Sequence, residues 1–423
     1  MFQINKWLYP GIRIKRWIFL LVLAVAIFII GITGFFGELI KDVRIEAINV
    51  DHYFRRLQKL KVVDIILIGL GIGGIVMAFR RAQFSILTML APEKEKEYIN
   101  VAYKKAKLKR GPKIAVIGGG TGMPNALRGL KHYTANLSAI VTVADDGGSS
   151  GRLRKDYRIL PPGDIRNCIV ALADEEALLG RLFQYRFETG EDLGGHSFGN
   201  IFITALTHVS GDFPKAINES SKVLAISGRV LPVTLDNVML KAQMKDGKQV
   251  EGESKITEAG GVIEKLTIVP PDVKPYPEAV EAINSADVVV IGPGSLYTSI
   301  IPNLMVPGIK EALMNTKTVK IYICNIMTQH GETDNYTVSD HVDAIFSHAG
   351  AKVVDYVIAN DKMPDAGLLK KYEEEKSYPV KMDKEKLNRL GVSVVEGTLF
   401  SEGEYVRHSP ELLAKMIMKL ILV

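Results

Sequence analysis

The sequence has little cysteine. Only Cys168 and Cys324 occur among 423 residues, and they lie far apart, without the paired spacing that a cysteine-based metal site needs. Both stand in apolar surroundings, which predicts buried free thiols. Such cysteine usage does not indicate a disulfide-rich secreted fold and fits a reducing, cytoplasmic compartment.

Two common nucleotide-binding fingerprints are also missing. Lys113–Met123 reads KIAVIGGGTGM, a strand followed by glycines. The dinucleotide fingerprint Gly-x-Gly-x-x-Gly does not match, because its sixth place is Met123 when counted from Gly118 and Asn125 when counted from Gly120. The Walker loop does not match either, because no Gly-Lys-Ser/Thr follows. The glycines still allow a ligand to approach the backbone, and a helix beginning after them presents free N–H groups. We predict a phosphate site here; the alternative is a tight turn without a ligand.

Most of the chain lacks an excess of basic charge. Residues 1–110 hold 19 Lys and Arg against 8 Asp and Glu, whereas the remainder holds 34 against 39. The overall charge of +6 therefore belongs to the N-terminal region. A mildly acidic remainder argues against nucleic acid as a partner, because nucleic-acid binding needs a basic face on the folded domain.

The N-terminal region has two long apolar runs. Residues 17–37 carry no charge over a length that can cross a bilayer, and residues 62–79 form a shorter run that includes Asp64. We predict an N-terminal transmembrane helical hairpin, with residues 1–90 as a multi-pass anchor in the cell membrane. The alternatives are a cleaved signal peptide for the first run and a buried or re-entrant helix for the second.

The hairpin would return the chain to the side of its N-terminus, and basic residues near that end favour the cytoplasmic side. The loop between the runs is also basic, so the location of the main domain on the cytoplasmic side rests more on its expected nucleotide ligand. Residues 91–112 are charged and end at Gly-Pro, which indicates a linker. Residues 113–423 then form the expected nucleotide-binding domain.

Short apolar strands alternate with helical segments throughout residues 113–423. This alternation predicts an α/β fold with a doubly wound, mostly parallel sheet. One exception is expected: Val230–Met244 and Gln249–Ile256 have the pattern of a hairpin that turns at Asp246-Gly247. In a doubly wound sheet, ligands bind beyond the carboxyl ends of the strands, so the polar segments that follow strands are the informative ones.

The segment ADDGGSSGRLR, residues 144–154, follows the second strand as a flexible, hydroxyl-rich stretch. Adjacent side chains diverge, so Asp145 and Asp146 are expected to have different roles. One would accept hydrogen bonds from sugar hydroxyls or hold Mg²⁺, and the other would fix the turn. Arg152 and Arg154 could reach phosphate oxygens. A surface turn is the alternative.

Four further segments follow the same logic. PPGDIRN places Asp164 as a helix N-cap or a ligand contact, and GGHSFGN offers His196 as an acid, a base or a structural histidine. IGPGSLYTSIIPNL and CNIMTQHGET each follow a buried strand with hydroxyls and amides. The candidate ligand-binding residues are Gly118, Gly119, Gly120, Thr121, Gly122, Asp145, Asp146, Ser149, Arg152, Asp164, Asn167, His196, Asn200, Gly292, Gly294, Ser295, Thr298, Asn325, Thr328 and Gln329.

These segments, in this order, resemble the CofD-like family in its YvcK-like form, over roughly residues 113–423. The resemblance implies a Rossmann-like domain and one of two functions. YvcK-like proteins are expected to bind UDP-sugars, notably UDP-N-acetylglucosamine, and to support cell shape and cell-wall precursor supply during gluconeogenic growth. The related 2-phospholactate transferases move a phosphorus-containing group from a nucleotide diphosphate carrier, with Mg²⁺.

The resemblance leaves open whether this chain is an enzyme. If it is, Asp145 and Asp146 are the expected catalytic residues and Asp145 the expected Mg²⁺ ligand; no other cofactor is implied. A nicotinamide oxidoreductase is disfavoured because the dinucleotide fingerprint fails. The expected partners are a UDP-sugar or another nucleotide diphosphate, the membrane and further copies of the chain in a homo-oligomer.

Overall fold

The computed structural model describes residues 14–42, 50–90, 105–174, 177–190, 192–400, 403 and 405–421. The chain divides into two compact units, Met1–Lys104 and Lys105–Val423. The expected linker falls mainly on residues 91–104, which lie outside the described residues.

The first unit contains two long helices that pack against each other, α1 (Ile14–Asp42) and α2 (Val50–Leu90). Each contains a 21-residue stretch, Arg16–Phe36 and Val62–Ala82, that is long and apolar enough to cross a membrane. Only 11% of each stretch is buried within the protein, and Phe19 is 71% exposed. The two predicted apolar runs thus coincide with two helices of spanning length.

The second unit is built on a seven-stranded sheet in which every neighbouring pair is parallel. The strands are β1 (Ile114–Gly118), β2 (Leu137–Val141), β3 (Arg229–Pro232), β7 (Val288–Ile291), β8 (Val319–Ile323), β9 (Tyr356–Asn360) and β10 (Ser393–Gly397). Their order in the sheet is β10-β9-β8-β7-β1-β2-β3. The prediction of a doubly wound α/β fold is therefore confirmed.

The central strands of this sheet are continuous apolar runs. Every residue of β1, β2 and β7 is buried, because helices cover both faces of a parallel sheet. The helices of the first half are α3 (Met123–Leu130), α4 (Gly148–Tyr157), α5 (Gly163–Leu172), α6 (Ala177–Gln184), α7 (Phe198–Ser210) and α8 (Phe213–Val223).

The second half continues the alternation. Its helices include a π-helical turn, Leu296–Ile300, that leads directly into a short α-helix. The helices are α10 (Pro277–Asn284), α11 (Ile301–Leu304), α12 (Ile309–Asn315), α13 (Val338–Ala349), α14 (Ala366–Glu374), α15 (Lys384–Arg389) and α16 (Pro410–Ile421).

The expected long strand at Val230–Met244 is divided between the main sheet and a second, small antiparallel sheet. That stretch divides into β3 of the main sheet and β4 (Met239–Met244), which pairs with β5 (Gln249–Glu251) and β6 (Ile263–Val269). The predicted turn at Asp246-Gly247 does join β4 to β5, and Gly247 takes the positive φ of +86° that glycine permits. The rest of the predicted second strand is helix α9 (Glu253–Glu258).

Candidate functional site

The order of the strands reverses between β1 and β7. From β1 the chain builds outward through β2 and β3, and from β7 it builds the other way through β8, β9 and β10. Ligands of doubly wound folds bind at this switch point, beyond the carboxyl ends of the strands. The two predicted glycine loops, after β1 and after β7, meet here.

A cavity of about 190 Å³ opens at the switch point. It is formed by the loops that follow β1, β7 and β8 and by the segment that precedes α16. We call it the switch-point cavity, and the lining residues that matter below are Thr121, Gly122, Ser295, Asn325, Gln329 and Arg407. Five of these six were predicted from sequence; Arg407 was not.

The loop after β1 presents unused backbone donors. Within the described part of the chain, the amides of Thr121, Gly122 and Met123 make no hydrogen bond of standard geometry. They precede or begin α3, whose N-terminal end attracts anions through its free N–H groups and its dipole. This geometry suits a phosphate group.

Close packing of the two glycine loops explains their composition. A Cβ added at Gly122 would lie 2.7 Å from the carbonyl oxygen of Pro293, and one at Gly294 would lie 3.3 Å from the carbonyl oxygen of Gly119. Gly120 has a φ of +63°, which larger side chains rarely adopt. Side chains would push the loops apart, so glycine is required here for approach of one backbone to another.

Asp164 fixes the glycine loop rather than capping its own helix. Helix α5 begins at Gly163 after Pro162, so the N-cap prediction for Asp164 was wrong. Its Oδ2 instead accepts a hydrogen bond from the Gly120 amide at 2.7 Å. Burial, with a smaller contribution from Asp145, raises the pKa of Asp164 to about 6.

The two adjacent aspartates diverge, as the sequence suggested. Asp146 Oδ2 accepts from the Glu253 amide at 3.0 Å, and its Oδ1 accepts from the amide and hydroxyl of Ser254 at 3.0 and 2.8 Å. Asp146 therefore anchors the first turn of α9. Among the described residues, the carboxylate of Asp145 accepts a hydrogen bond only from the Gly147 amide, at Oδ1 and 3.0 Å, so its Oδ2 is available to a ligand.

Glu253, carried by α9, brings a further carboxyl group toward Asp145 and Asp164. Burial and the charges of Asp145, Asp146, Asp164 and Glu332 raise its pKa to about 8. Within the described ranges, no group of three or more His, Cys, Asp or Glu side chains is close enough to share a metal ion. Asp145 alone suits Mg²⁺ that arrives with a diphosphate, because Mg²⁺ often takes one or two carboxylates and completes its shell with phosphates and water.

Ser149, His196 and Asn200 form a buried network. Ser149 Oγ lies 2.9 Å from His196 Nδ1 and accepts from Asn200 Nδ2 at 3.0 Å. Burial, aided by Arg152, lowers the pKa of His196, which favours the neutral ring. The segment predicted to be flexible is helix α4, and this network ties its first turn to α7.

The remaining polar side chains of this part of the site contact the protein itself. Arg152 donates to the Gly194 carbonyl oxygen at 2.6 Å, and Asn167 Oδ1 accepts from Arg166 at 2.8 Å. Arg154 donates to Asn237 and to backbone carbonyl groups. None of these three side chains lines the switch-point cavity.

Glu332 organises the loops after β7 and β8, and sequence reasoning missed it. Its Oε1 accepts from Thr298 Oγ1 at 3.0 Å and from Gln329 Nε2 at 3.2 Å, while Oε2 accepts from the Tyr297 amide at 3.2 Å. Burial raises its pKa. Thr298 is therefore engaged inside the fold, whereas Ser295 and Gln329, joined by a 2.8 Å hydrogen bond, reach the cavity.

The other predicted residues of these loops have structural roles. Thr328 Oγ1 accepts from the Tyr378 amide at 2.9 Å and does not line the cavity. Gly292 has a φ of +84°, and a Cβ there would lie 3.2 Å from the carbonyl oxygen of Ile323. Gly118 ends β1, and a Cβ at Gly119 would lie 2.7 Å from Asp164 Oδ2.

The C-terminal segment supplies three cavity residues, Val406, Arg407 and His408, that no strand-end motif signalled. His408 lies with Nε2 3.2 Å from the Cys324 carbonyl oxygen, and burial lowers its pKa to about 4. This contact holds the segment against the end of β8. Arg407, next to it, is exposed and stacks over Tyr405 at 5.3 Å. Only the folded structure brings this charge to the glycine loops.

Comparison with known proteins agrees with this architecture. The family model described as 2-phospho-L-lactate transferase CofD matches residues 114–400. A gluconeogenesis factor of Bacillus subtilis (strain 168) is 47% identical over 312 residues, covering 73% of this chain and 98% of the relative. A crystal structure of a Bacillus halodurans member of the UPF0052 family is 48% identical, with a TM-score of 0.71 over 73% of this chain and 99% of its own.

The N-terminal region is shared with longer relatives. A Nostoc sp. (strain PCC 7120) protein, provisionally named a gluconeogenesis factor, is 46% identical over 425 residues, covering 98% of this chain and 92% of its own length. The two glycine loops, the Asp145 segment and the parallel sheet all fall within the matched range. The chain therefore belongs to the CofD family and, within it, to the branch of gluconeogenesis factors.

Proposed function

We propose that this chain binds a UDP-sugar, of the UDP-N-acetylglucosamine class, at the switch-point cavity. The observation that carries the proposal is the pair of unused amides at Thr121 and Gly122, two residues that line a cavity also lined by Arg407. Together they offer two neutral donors and one positive charge, which suits a diphosphate.

The rest of the ligand would extend out of this cavity. About 190 Å³ is less than the roughly 300 Å³ at which small-molecule pockets usually begin, so the cavity suits the diphosphate rather than a whole nucleotide sugar. Asn325 and Gln329 offer amide groups to one end of the ligand. The available oxygen of Asp145 could accept hydrogen bonds from sugar hydroxyls, or hold Mg²⁺ against the diphosphate.

The role we propose is regulatory. The bound UDP-sugar would report on cell-wall precursor supply and so support cell shape during gluconeogenic growth. This agrees with the name gluconeogenesis factor carried by the Bacillus subtilis relative. It also agrees with the internal hydrogen bonds of Asp146, Ser149 and His196, because these bonds occupy the groups that a catalysed reaction would need.

Thermal unfolding of Lys105–Val423 with a series of UDP-sugars tests this proposal. A solved relative consists almost entirely of the matching region, so this unit is expected to fold alone. UDP-N-acetylglucosamine should raise Tm because it binds only the folded state. The Arg407→Gln variant should lose about 2 kcal/mol of binding free energy, typical of a charge-assisted contact. A flat response across all UDP-sugars would count against the proposal.

A second candidate is a Mg²⁺-dependent transferase of a phosphorus-containing group. The carboxyl groups of Asp145, Asp164 and Glu253 near the glycine loop favour it, because they could handle metal and protons beside a transferred group. Labelled uridine or guanosine diphosphate donors, incubated with a broad panel of acceptors, would reveal transfer. Absence of transfer across the panel, together with saturable binding, would favour the regulatory role.

We further propose that α1 and α2 anchor the protein in the cell membrane, with the second unit in the cytoplasm as a homo-oligomer. Their exposed apolar side chains support this, because such surfaces are unfavourable in water. Removal of residues 1–104 should release the second unit into the soluble fraction. If it still sediments with membranes, the anchor lies elsewhere. Mass photometry of both forms would test the oligomer.

A further inference from the structure

A second cavity, of about 640 Å³, lies beside helix α4 and shares no lining residue with the switch-point cavity. We call it the basic pocket and define it by Arg154 and Lys155 of α4, by Arg158 directly after that helix, by Leu235 of the segment that leads into β4 and by Met239, the first residue of β4. Its volume lies within the roughly 300–1,000 Å³ of small-molecule sites. Size alone therefore permits a ligand.

The positive charges of the basic pocket are not neutralised. Within the described residues, Lys155 and Arg158 make no hydrogen bond or ion pair, and both are exposed. The one carboxylate at the rim, Asp146, is engaged by the amides and the hydroxyl at the start of α9. The pocket therefore favours an anion, which would find two exposed cations without displacing an existing partner.

Arg154 holds the two walls of the pocket together. Its Nε donates to Asn237 Oδ1 at 2.9 Å, and its terminal nitrogens donate to the carbonyl oxygens of Val238 and Asp145. Helix α4 and the segment before β4 are thus joined before any ligand arrives. The same contacts occupy the Arg154 guanidinium, so Lys155 and Arg158 are the cations left for a ligand.

The opposite wall is apolar. Leu235 is 45% exposed and Met239 is 39% exposed, although both are large hydrophobic side chains. A ligand that covers them would remove apolar surface from water, which is favourable. The pocket therefore suits an anion that carries an apolar group better than a bare ion.

The backbone at Arg158 gives independent support. Arg158 follows the last residue of α4 with a φ of +54°, the left-handed conformation in which glycine is usually found. A long side chain is unfavourable there, so its presence suggests that the guanidinium is needed at the mouth of the pocket.

We propose that the basic pocket binds a small phosphomonoester that carries an apolar group, as a second ligand distinct from the UDP-sugar. Lys155 and Arg158 would hold the phosphate, and Leu235 and Met239 would cover the apolar group. The proposal goes beyond the function proposed above and does not depend on it, because the residues involved are different.

Isothermal titration calorimetry of the full chain in phosphatidylcholine nanodiscs tests this, with phenyl phosphate as the probe and empty nanodiscs as the blank. We expect saturable binding, about tenfold tighter than that of inorganic phosphate. Lys155→Gln and Arg158→Gly should each weaken it by about tenfold or more. Lys245→Gln, at an exposed lysine of the β4–β5 turn, is the matched control and should not change it.

Arg158→Gly also separates binding from folding. Glycine suits the left-handed conformation, so this variant should unfold at the same or a higher temperature while it loses the ligand. Absence of saturable binding, equal affinity in Arg158→Gly, or displacement of phenyl phosphate by UDP-N-acetylglucosamine would each overturn the proposal. Arg407→Gln should keep phenyl phosphate binding, so failure of the UDP-sugar site would be recognised separately.

Discussion

The glycine loops at the switch point and the Asp-Asp-Gly-Gly segment after β2 are both polar, glycine-rich and located at strand ends, yet the protein uses them differently. The glycine loops keep the amides of Thr121, Gly122 and Met123 free. In the segment after β2, Asp146, Ser149 and Arg152 are committed to contacts inside the protein.

The two regions differ in which polar groups they present: backbone amides in the glycine loops and side chains in the segment after β2. A backbone amide held by a rigid loop costs little entropy when it meets an anion, so it remains available. A buried polar side chain without a hydrogen-bond partner costs free energy, so such side chains form hydrogen bonds within the folded protein. Polar residues at a strand end are therefore not equivalent predictors of a ligand. Substitutions in the two regions should therefore differ in their effects on ligand affinity and on stability. The following variants test this, from the largest expected effect to the smallest.

Gly122→Ala should have the largest effect on the ligand. The added Cβ would meet the Pro293 carbonyl oxygen at 2.7 Å and would force the two loops apart. We expect UDP-N-acetylglucosamine affinity to fall by about a hundredfold, or about 2.7 kcal/mol. Calorimetry measures this directly. Gly180→Ala is the matched control, since nothing lies within 4 Å and helix α6 favours alanine; unchanged binding in both variants would refute the packing argument.

Glu253→Gln should change the pH dependence of stability. The pKa of Glu253 in the folded chain, about 8, lies above its ordinary value of 4.5, so the fold favours the protonated form. Its contribution to stability is greatest below pH 4.5 and is lost as the pH rises through 8. Urea unfolding at pH 5.5 and 8 should show a smaller difference in the variant. Glu258→Gln, exposed on the same helix, should leave the difference intact.

Asp146→Ala should destabilise the fold more than Asp145→Asn. It removes three hydrogen bonds at the start of α9, which corresponds to about 1–2 kcal/mol for the loss of a helix cap. Asp145→Asn should leave the unfolding free energy within about 0.5 kcal/mol and should weaken the ligand instead. Urea unfolding and calorimetry on both variants would separate the roles; equal profiles would mean that the two carboxylates act alike.

Ser149→Ala should have the smallest effect. Loss of the hydroxyl removes one partner from His196 and one from Asn200, at a cost of about 1 kcal/mol in stability. UDP-sugar affinity should remain within twofold. A tenfold loss of affinity, measured by calorimetry, would instead place Ser149 at the ligand and weaken the comparison.

Much of the fold followed from sequence because apolar runs in a parallel sheet are short and continuous. The strands expected directly before the two glycine loops and before the Asp-Asp-Gly-Gly segment are β1, β7 and β2. The stretch from Val230 to Met244 was misjudged because both of its halves have strand patterns. Assignment to two different sheets depends on tertiary pairing, which local pattern does not contain.

The site was only partly predictable. Glycine loops after strands give a local signal, and Gly122, Ser295 and Asn325 do line one cavity. Glu332 and Arg407 gave no such signal. The role of a single carboxylate or guanidinium group depends on the neighbours that the fold brings to it, and the local sequence does not contain them. Of the two roles predicted for Asp164, the helix cap was wrong, because the partner that the carboxylate takes in the fold, the Gly120 amide, lies 44 residues away in the sequence.

The most direct test of the switch-point site is the melting temperature of Lys105–Val423 and its Gly122→Ala variant, each with and without UDP-N-acetylglucosamine. Our account predicts that the ligand raises Tm of the parent by several degrees at a concentration well above Kd and leaves the variant's Tm unchanged. An equal rise in both proteins would place the ligand elsewhere, and no rise in the parent would contradict the account.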